Sequence, residues 1–303
     1  MKRAVSISLG SSRRDHKVTI NLLGQEVSVE RIGTDGNVKR AMALYKELDG
    51  QVDAFGVGGT DLGLQVEDRY YPLHAAQKMV SGVKKTPLVD GGNVRSVLER
   101  QIAQTIEAEI GDAIAPRRAM IAVAVDRYDM ALSFNQAGYE TIYCDLMFGL
   151  GIPIAIKGLS NLQRVARLLM PVMGRLPMRF IYPTGQKQHE IVPKYGKSYA
   201  WASVIAGDFN YLKRHLPERL DGKIVVTNTT TAMDVELLKA RGVRYLVTTT
   251  PRFEGRSFGT NALEAALTAV AGNGRPLTSD EIRELLEQLD LRPSITRLDQ
   301  GQV

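Results

Sequence analysis

From about residue 115 onward, short apolar runs alternate with stretches of helical periodicity, and this alternation constrains the fold more than any other feature of the chain. Met120 to Val125, Thr141 to Cys144, Phe180 to Tyr182, Val204 to Ala206, Lys223 to Val226 and Tyr245 to Thr248 read as strands. Between and after them, Tyr128 to Ala137, Ser160 to Met170, Lys194 to Ala202, Asn210 to Leu220, Ala232 to Arg241 and Asn261 to Ala271 read as helices, the second ended by Pro171. Consecutive strands joined through helices return to their sheet in parallel by right-handed crossovers. The pattern predicts an α/β fold with a doubly wound, mostly parallel, Rossmann-like sheet of about six strands, covered by helices on both faces.

Residues 1–114 read as a separate, smaller α/β domain. Ala4 to Leu9, Val18 to Leu23 and Glu26 to Ile32 are β-like, the last two joined across Gly24. A helix begins near Asn37, where Val38, Ala41, Met42, Tyr45 and Leu48 recur at helical spacing, and Gly50 stops it. A buried strand Val52 to Phe55 runs into Gly56-Val-Gly-Gly-Thr-Asp61, and a long helix from Val94 carries Val97, Leu98, Ile102 and Ile106 on one face. The Ala-Ile-Ala-Pro-Arg-Arg stretch at 113–118 marks the boundary, so the second domain is expected over 115–273. Residues 274–303 form a tail with a helix from Ser279, introduced by the capping pair Thr278 and Glu281, and residues after Leu291 are expected to be loose. The apolar face of that helix makes a homodimer a reasonable expectation.

With 303 residues, 44% hydrophobic and 24% charged, the chain can bury cores for two domains and has no disorder-prone bias. Its excess of 39 basic over 33 acidic side chains is dispersed in pairs such as Arg13 with Arg14 rather than concentrated on one face, which argues against nucleic acid and for a small anionic ligand. The single cysteine, Cys144, excludes an internal disulfide and a thiolate metal cluster, and fits the reducing cytoplasm. The most apolar stretch, Leu146 to Ile156, is interrupted by Gly149, Gly151 and Pro153, so no membrane span is expected.

Ligands of open α/β sheets bind beyond the carboxyl ends of the strands, and several of these ends are acidic here. Asp90, Asp126, Asp145 and Asp208 each follow an apolar run, where a carboxylate can bind hydroxyls, act as a general base, or simply cap the next helix. Gly56, Gly58, Gly59 and Thr60 suit backbone approach to an anion or a tight packed turn, and Lys187 in the loop Tyr182-Pro-Thr-Gly-Gln-Lys-Gln188 is the preferred catalytic lysine. Asn228, Thr229 and Thr230 end one strand, and Thr248-Thr-Thr-Pro251 ends the next. Arg256, Gly259 and Thr260 then form a basic, glycine-rich entry to a helix N-terminus suited to phosphate or carboxylate. The four histidines show no metal-ligand spacing.

Taken together, Gly56-Val-Gly-Gly-Thr-Asp61, Tyr182-Pro-Thr-Gly185, Ile205-Ala-Gly-Asp-Phe-Asn210, Thr227-Asn-Thr-Thr-Thr231 and Gly255-Arg-Ser-Phe-Gly-Thr-Asn261 resemble a bacterial quinate 5-dehydrogenase, or quinate/shikimate dehydrogenase-like, family over residues 1 to about 272. That resemblance implies NAD- or NADP-dependent oxidation of a cyclic polyhydroxy carboxylic acid, with a lysine and an aspartate assisting hydride transfer. The first strand of the second domain ends Val125-Asp-Arg-Tyr-Asp129 without a glycine, so pyrophosphate contact would have to come from another loop. The expectation is a cytoplasmic oxidoreductase whose interdomain cleft holds Lys187, Asp126, Asp145 and Asp208 as catalytic groups, with the glycine, threonine and Arg256 loops on the cofactor. Two alternatives stand beside it: a nicotinamide-independent lyase, isomerase or transferase on a small phosphorylated or carboxylated metabolite, with a divalent cation on the aspartates, and a non-catalytic ligand-binding protein.

Overall fold

The computed structural model describes residues 1–111, 114–177, 191–250, 252–253, 256–257 and 259–299. Two α/β layers form around two sheets. The first sheet is built from β1 (Lys2–Ser8), β2 (His16–Leu22), β3 (Gln25–Gly33), β4 (Ala54–Gly58) and β7 (Leu88–Val89), in the order β2-β3-β1-β4-β7. All neighbours pair in parallel except β2 with β3. A separate hairpin, β5 (Gly63–Val66) with β6 (Arg69–Pro72), follows β4.

Strand alternation sorts the side chains of the first sheet. Val5, Ile7, Phe55 and Val57 face helices α1 (Val38–Leu48) and α2 (His74–Val80), with Tyr45 and Met79 in the same cluster. Tyr45 is fully buried, and its hydroxyl donates to the carbonyls of Ile7 at 3.1 Å and Gly56 at 3.3 Å. On the other face β1 and β4 present small residues, Ala4, Ser6, Ala54 and Gly56, flanked by Ile20, Leu22, Val27 and Val29 of β2 and β3.

The second sheet runs β10-β9-β8-β11-β12-β13-β16. It comprises β8 (Arg118–Ile121), β9 (Glu140–Tyr143), β10 (Ile156–Lys157), β11 (Val204–Ala206), β12 (Ile224–Thr227), β13 (Tyr245–Thr248) and β16 (Ser294–Arg297), with a two-stranded hairpin of β14 (Arg252–Phe253) and β15 (Arg256–Ser257) between the last two in sequence. Five of its seven strands are parallel, in the 2-1-3-4-5 order of one common doubly wound topology, and the antiparallel β10 and β16 close the edges. Met120, Ile205 and Val225 point to one face and Ile121, Val204, Ala206 and Val226 to the other; burial on both faces explains why these strands read as unbroken apolar runs.

Several expectations change. The strand expected at Phe180 to Tyr182 lies outside the described residues. The long helix from Val94 is two helices, α3 (Gly92–Glu99) and α4 (Ile102–Ile110), separated at Gln101, whose φ of −113° and ψ of 12° are not helical. The break has a physical reason. Val94 and Leu98 of α3 pack in the cluster beside the first sheet, whereas Ile102 and Ile106 of α4 pack in the cluster of the second. Residues after Leu291, expected to be loose, form β16 along β13.

The helix expected to close the second domain covers the first sheet instead. This is α11 (Thr260–Ala271), which follows α5 (Tyr128–Gln136), α6 (Asp145–Leu150), α7 (Leu159–Met173), α8 (Gly196–Trp201), α9 (Phe209–Arg214) and α10 (Ala232–Ala240) and precedes α12 (Ser279–Gln288). Its alanines 262, 265, 266 and 269 pack with Ala4, Ala54 and Val89. Periodicity shows that such a segment is helical but not which sheet it covers. Across the described residues the chain therefore passes from the first layer to the second at Gln101, returns with α11 and α12, and leaves again with β16.

Close approach of α11 to the sheet requires a missing side chain. A Cβ on Gly56 would lie 2.7 Å from the Asn261 carbonyl oxygen, so Gly56→Ala should lower the urea midpoint, costing about 1–3 kcal/mol of stability. An unchanged midpoint would show that α11 is free to shift away.

Candidate functional site

The segments that follow β4 and β7 in the first sheet and β8 in the second line one cavity of about 790 Å³ between the layers. In the first sheet the strand order reverses between β1 and β4, and in the second between β8 and β11. Such reversals leave a crevice at the strand ends where the flanking loops part. The loops issuing there bring Asp61 after β4, Asp126 and Arg127 after β8, and Asp208 after β11; Asp90 follows β7 nearby.

Arg127 is the centre of the charge arrangement and only 5% exposed. Its Nη1 donates to Glu99 Oε1 at 2.7 Å, its Nη2 to Asp208 Oδ2 at 3.0 Å, and its Nε lies 3.2 Å from Asp126 Oδ2. Glu99 ends α3 beside the first sheet, so this guanidinium ties the two layers together. Arg95, one turn earlier on α3, bonds Asp61 Oδ1 at 2.9 Å. At the rim, Arg100 meets Asp129 at 3.1 Å. Asn228 Nδ2 donates to Asp208 Oδ2 at 2.7 Å, and the Asn210 N–H to Asp208 Oδ1 at 2.9 Å, so Asp208 is both helix cap and network member.

Two further carboxylates serve backbone. Asp90 accepts the N–H groups of Leu62 at 2.7 Å and Gly92 at 2.9 Å. Glu264, buried on α11, accepts from the N–H groups of Asn93 and Val94 at 3.1 and 3.3 Å, which satisfies the start of α3.

Burial shifts several of these groups toward their neutral forms. Asp126 is pushed up to about 7, first by burial and then by Asp61, with Arg95 and Arg127 opposing. Glu264 is also raised to about 7, by burial and then Asp90, against the N–H groups it accepts. Burial raises Glu99 as well, opposed mainly by Arg127. Arg127 loses some basicity to burial but is driven up on balance by Glu99 and Asp126, so it stays charged.

The residues singled out in the sequence separate clearly. Asp126, Asp208 and Asn228 come together around Arg127. Asp145 starts α6 and accepts the Val125 N–H at 2.8 Å; its Oδ2 is buried without a partner, and burial raises it to about 6, but it does not line the cavity. Its work is to hold the loop after β8. Gly56 and Gly58 lie within β4, and a Cβ on Gly58 would meet Ser8 Cβ at 2.7 Å, so these glycines allow close packing rather than approach to an anion. Gly59 turns with φ of +78°, and Thr60 is buried.

Gly259 and Thr260 begin α11, whose N-terminus is covered by Gly91: a Cβ there would stand 2.4 Å from the Asn261 nitrogen. Thr229 and Thr230 are half-buried at the end of β12 and do not line the cavity. Lys187 and the Arg256 side chain lie outside the described residues. Arg95, Glu99, Arg127 and Glu264 were not singled out. Glu264, an acid inside the apolar run Asn-Ala-Leu-Glu-Ala-Ala-Leu, carried the clearest signal of the four.

Among the described residues, six carboxylates line the cavity, Glu67, Asp90, Glu99, Asp126, Asp129 and Glu264, against three guanidiniums, Arg95, Arg100 and Arg127. This field does not suit the small anion expected from composition. A pyrophosphate is no better served, because the loop after β8 has no glycine and presents Asp126. Among the described residues, no group of three or more His, Cys, Asp or Glu side chains is placed to hold a metal ion, and no helix is long and apolar enough to cross a membrane.

Residues 93–298 match the family described as Domain of unknown function (DUF8754), and the chain belongs to that family. Residues 3–90 match a second, Domain of unknown function (DUF8753). No curated protein matches the sequence. Among solved structures, the glucose-galactose binding protein GanP from Geobacillus stearothermophilus is similar at 8% identity and a TM-score of 0.41, covering 100% of this chain and 99% of its own. The hetero-hexameric glutamate dehydrogenase of Thermus thermophilus gives 14% and 0.43, over 95% of this chain and 72% of its own. The NAD-dependent malic enzyme of Thermotoga maritima gives 11% and 0.36, over 94% and 72%. At these scores the likenesses decide neither fold nor function.

The raised carboxyls fix a pH dependence. A group whose folded pKa lies above its unfolded value takes up a proton more readily when folded, so its contribution is full below the unfolded pKa and is lost as pH rises through the folded one. Asp126, Asp145 and Glu264 should therefore make the protein more stable at pH 5 than at pH 8. Asp49 and Glu281, both lowered to about 2, contribute above the usual carboxylate range and lose their contribution only toward that value. Asp126→Asn should be about 1–3 kcal/mol more stable than the native protein at pH 8 and show a flatter profile. Denaturant titrations across that range check both; stability rising steadily from pH 5 to 8 would contradict them.

Proposed function

We propose that this protein binds a small polar molecule in the cleft between its two α/β layers, and that this non-catalytic ligand-binding alternative describes it better than the dehydrogenase reading. The observation that carries the proposal is that the loops after β4 and β8, one from each strand-order reversal, line one cavity together with a largely pre-bonded set of carboxylates and guanidiniums. Held groups of this kind lose little entropy on meeting a ligand, and acceptor-rich walls favour ligands that donate hydrogen bonds. The lone buried Cys144 is consistent with a reducing compartment, and a cytoplasmic location remains part of the proposal.

A second reading is favoured by one feature. A carboxyl at about 7 inside a cleft suits a general base, so Asp126 could take a proton from a bound hydroxyl in an enzyme of isomerase, lyase or dehydrogenase type. Quinate/shikimate-type oxidation would further need NAD or NADP, for whose pyrophosphate the described cleft offers carboxylates rather than a glycine-rich turn.

Calorimetric titration separates these readings. Neutral polyols, amines, carboxylic acids, NAD and NADP should be tested against the native protein and against Ser96→Trp, which places a large side chain in the lining. A polar, hydrogen-bond-donating small molecule should bind without turnover and weaken at least about tenfold in the variant. Tight NAD or NADP binding, or ligand binding indifferent to Ser96→Trp, would overturn the proposal.

A further inference from the structure

The cleft carboxylates differ in what already holds them. Asp90 and Glu264 accept backbone N–H groups, Asp61 is bonded by Arg95, Glu99 by Arg127, and Asp208 by Arg127, Asn228 and Asn210. Asp126 is the exception. Its contact is the ion pair with Arg127 Nε at 3.2 Å, in an alignment that leaves that buried Nε without a hydrogen-bond partner. Among the described residues no donor bonds to the Asp126 oxygens, yet its side chain is only 11% exposed and lines the cavity. A carboxylate in this condition has lost most of its water without gaining hydrogen-bond donors in return.

We infer that Asp126 is the ligand-contacting carboxylate of the cleft and that the ligand presents to it a protonated nitrogen, an ammonium or amidinium group. The inference rests on the cleft being the binding site, as proposed above.

Charge decides between a cation and a neutral hydroxyl. The groups facing Asp126 are Asp61 from the loop after β4, Arg95 from α3, Arg127 beside it, Asp208 from the loop after β11, and Tyr211 from α9. Asp61, Glu99, Asp126 and Asp208 face two guanidiniums, both of which hydrogen-bond other carboxylates, so Asp126, held by an ion pair alone, is the least compensated of the four. A cationic nitrogen supplies both the countercharge and the donors, whereas a hydroxyl supplies only a donor. The faces of Tyr70 and Tyr128, which also line the cavity, are receptive to cations.

Putrescine, agmatine and spermidine serve as cationic probes and xylitol and glucose as neutral ones, each titrated calorimetrically into the full-length protein. At pH 8 at least one cationic probe should bind, and Asp126→Asn should weaken it about 10- to 100-fold while remaining folded. In the native protein its affinity should also fall as pH drops below about 7, by up to about tenfold per unit, because proton and ligand compete for one carboxylate. That profile decides the matter even if the variant does not fold. Cation binding unchanged in Asp126→Asn, or flat from pH 8 to 6, would overturn the inference. So would binding of a neutral polyol alone, which would leave the cleft proposal standing. If no probe of either class binds, the inference falls, and the cleft proposal is then decided separately by the wider titration with Ser96→Trp.

Discussion

The guanidinium of Arg127 is the interaction on which the arrangement of this protein turns. It is almost fully withdrawn from water and lies against Glu99, Asp126 and Asp208. A buried arginine is tolerable only when its charge and its donors are both met, and removing Glu99 or Asp208, which accept its hydrogen bonds, should cost about 3–5 kcal/mol. Because Glu99 comes from the helix beside the first sheet while Asp126 and Asp208 come from the second, the same requirement fixes where the layers sit. The break at Gln101 then follows: the chain leaves α3 once Glu99 has reached Arg127, and α4 turns into the core of the second layer.

The network satisfies some of its members better than others, and that unevenness is where function enters. Glu264 and Asp90 order the start of α3, and Asp145 orders the loop after β8. Asp126 gives the fold little, since a largely buried carboxylate held by an ion pair alone is a liability at neutral pH. Groups that cost stability and are nevertheless placed at a cavity belong to binding or catalysis more often than to folding. The acidity of the cleft also changes the meaning of the net charge of +6. Among the described residues the cavity lining holds six carboxylates against three guanidiniums, so the wall facing a ligand is negative although the chain as a whole is basic.

Much of the fold was legible because burial on both faces writes a parallel strand as an apolar run such as Val204-Ile-Ala206, and because Thr278 with Glu281 signals a helix start that the structure retains. The partnership of elements was not legible. An alanine-rich helix such as α11 fits any sheet face made of small residues, and the face that matches it, Ala4, Ser6, Ala54 and Gly56, lies about two hundred residues earlier in the sequence. Strand-end acids pointed to Asp126 and Asp208, but a local pattern cannot show that Arg127 would turn inward while Arg118 pairs with Glu140 at the surface. The glycines of β4 misled for a related reason: close packing and approach to a phosphate make the same demand on a side chain, and only the neighbour distinguishes them.

On the proposed mode of binding, one ligand touches both layers beside the two strand-order reversals. Hydrogen–deuterium exchange tests it most directly, with and without whichever compound binds most tightly. The backbone around residues 59–63, 90–96, 122–129 and 207–210 should gain protection together, since these segments from both layers line or support one cavity. Protection confined to a single layer, or appearing only at the ends of β12 and β13, would contradict it.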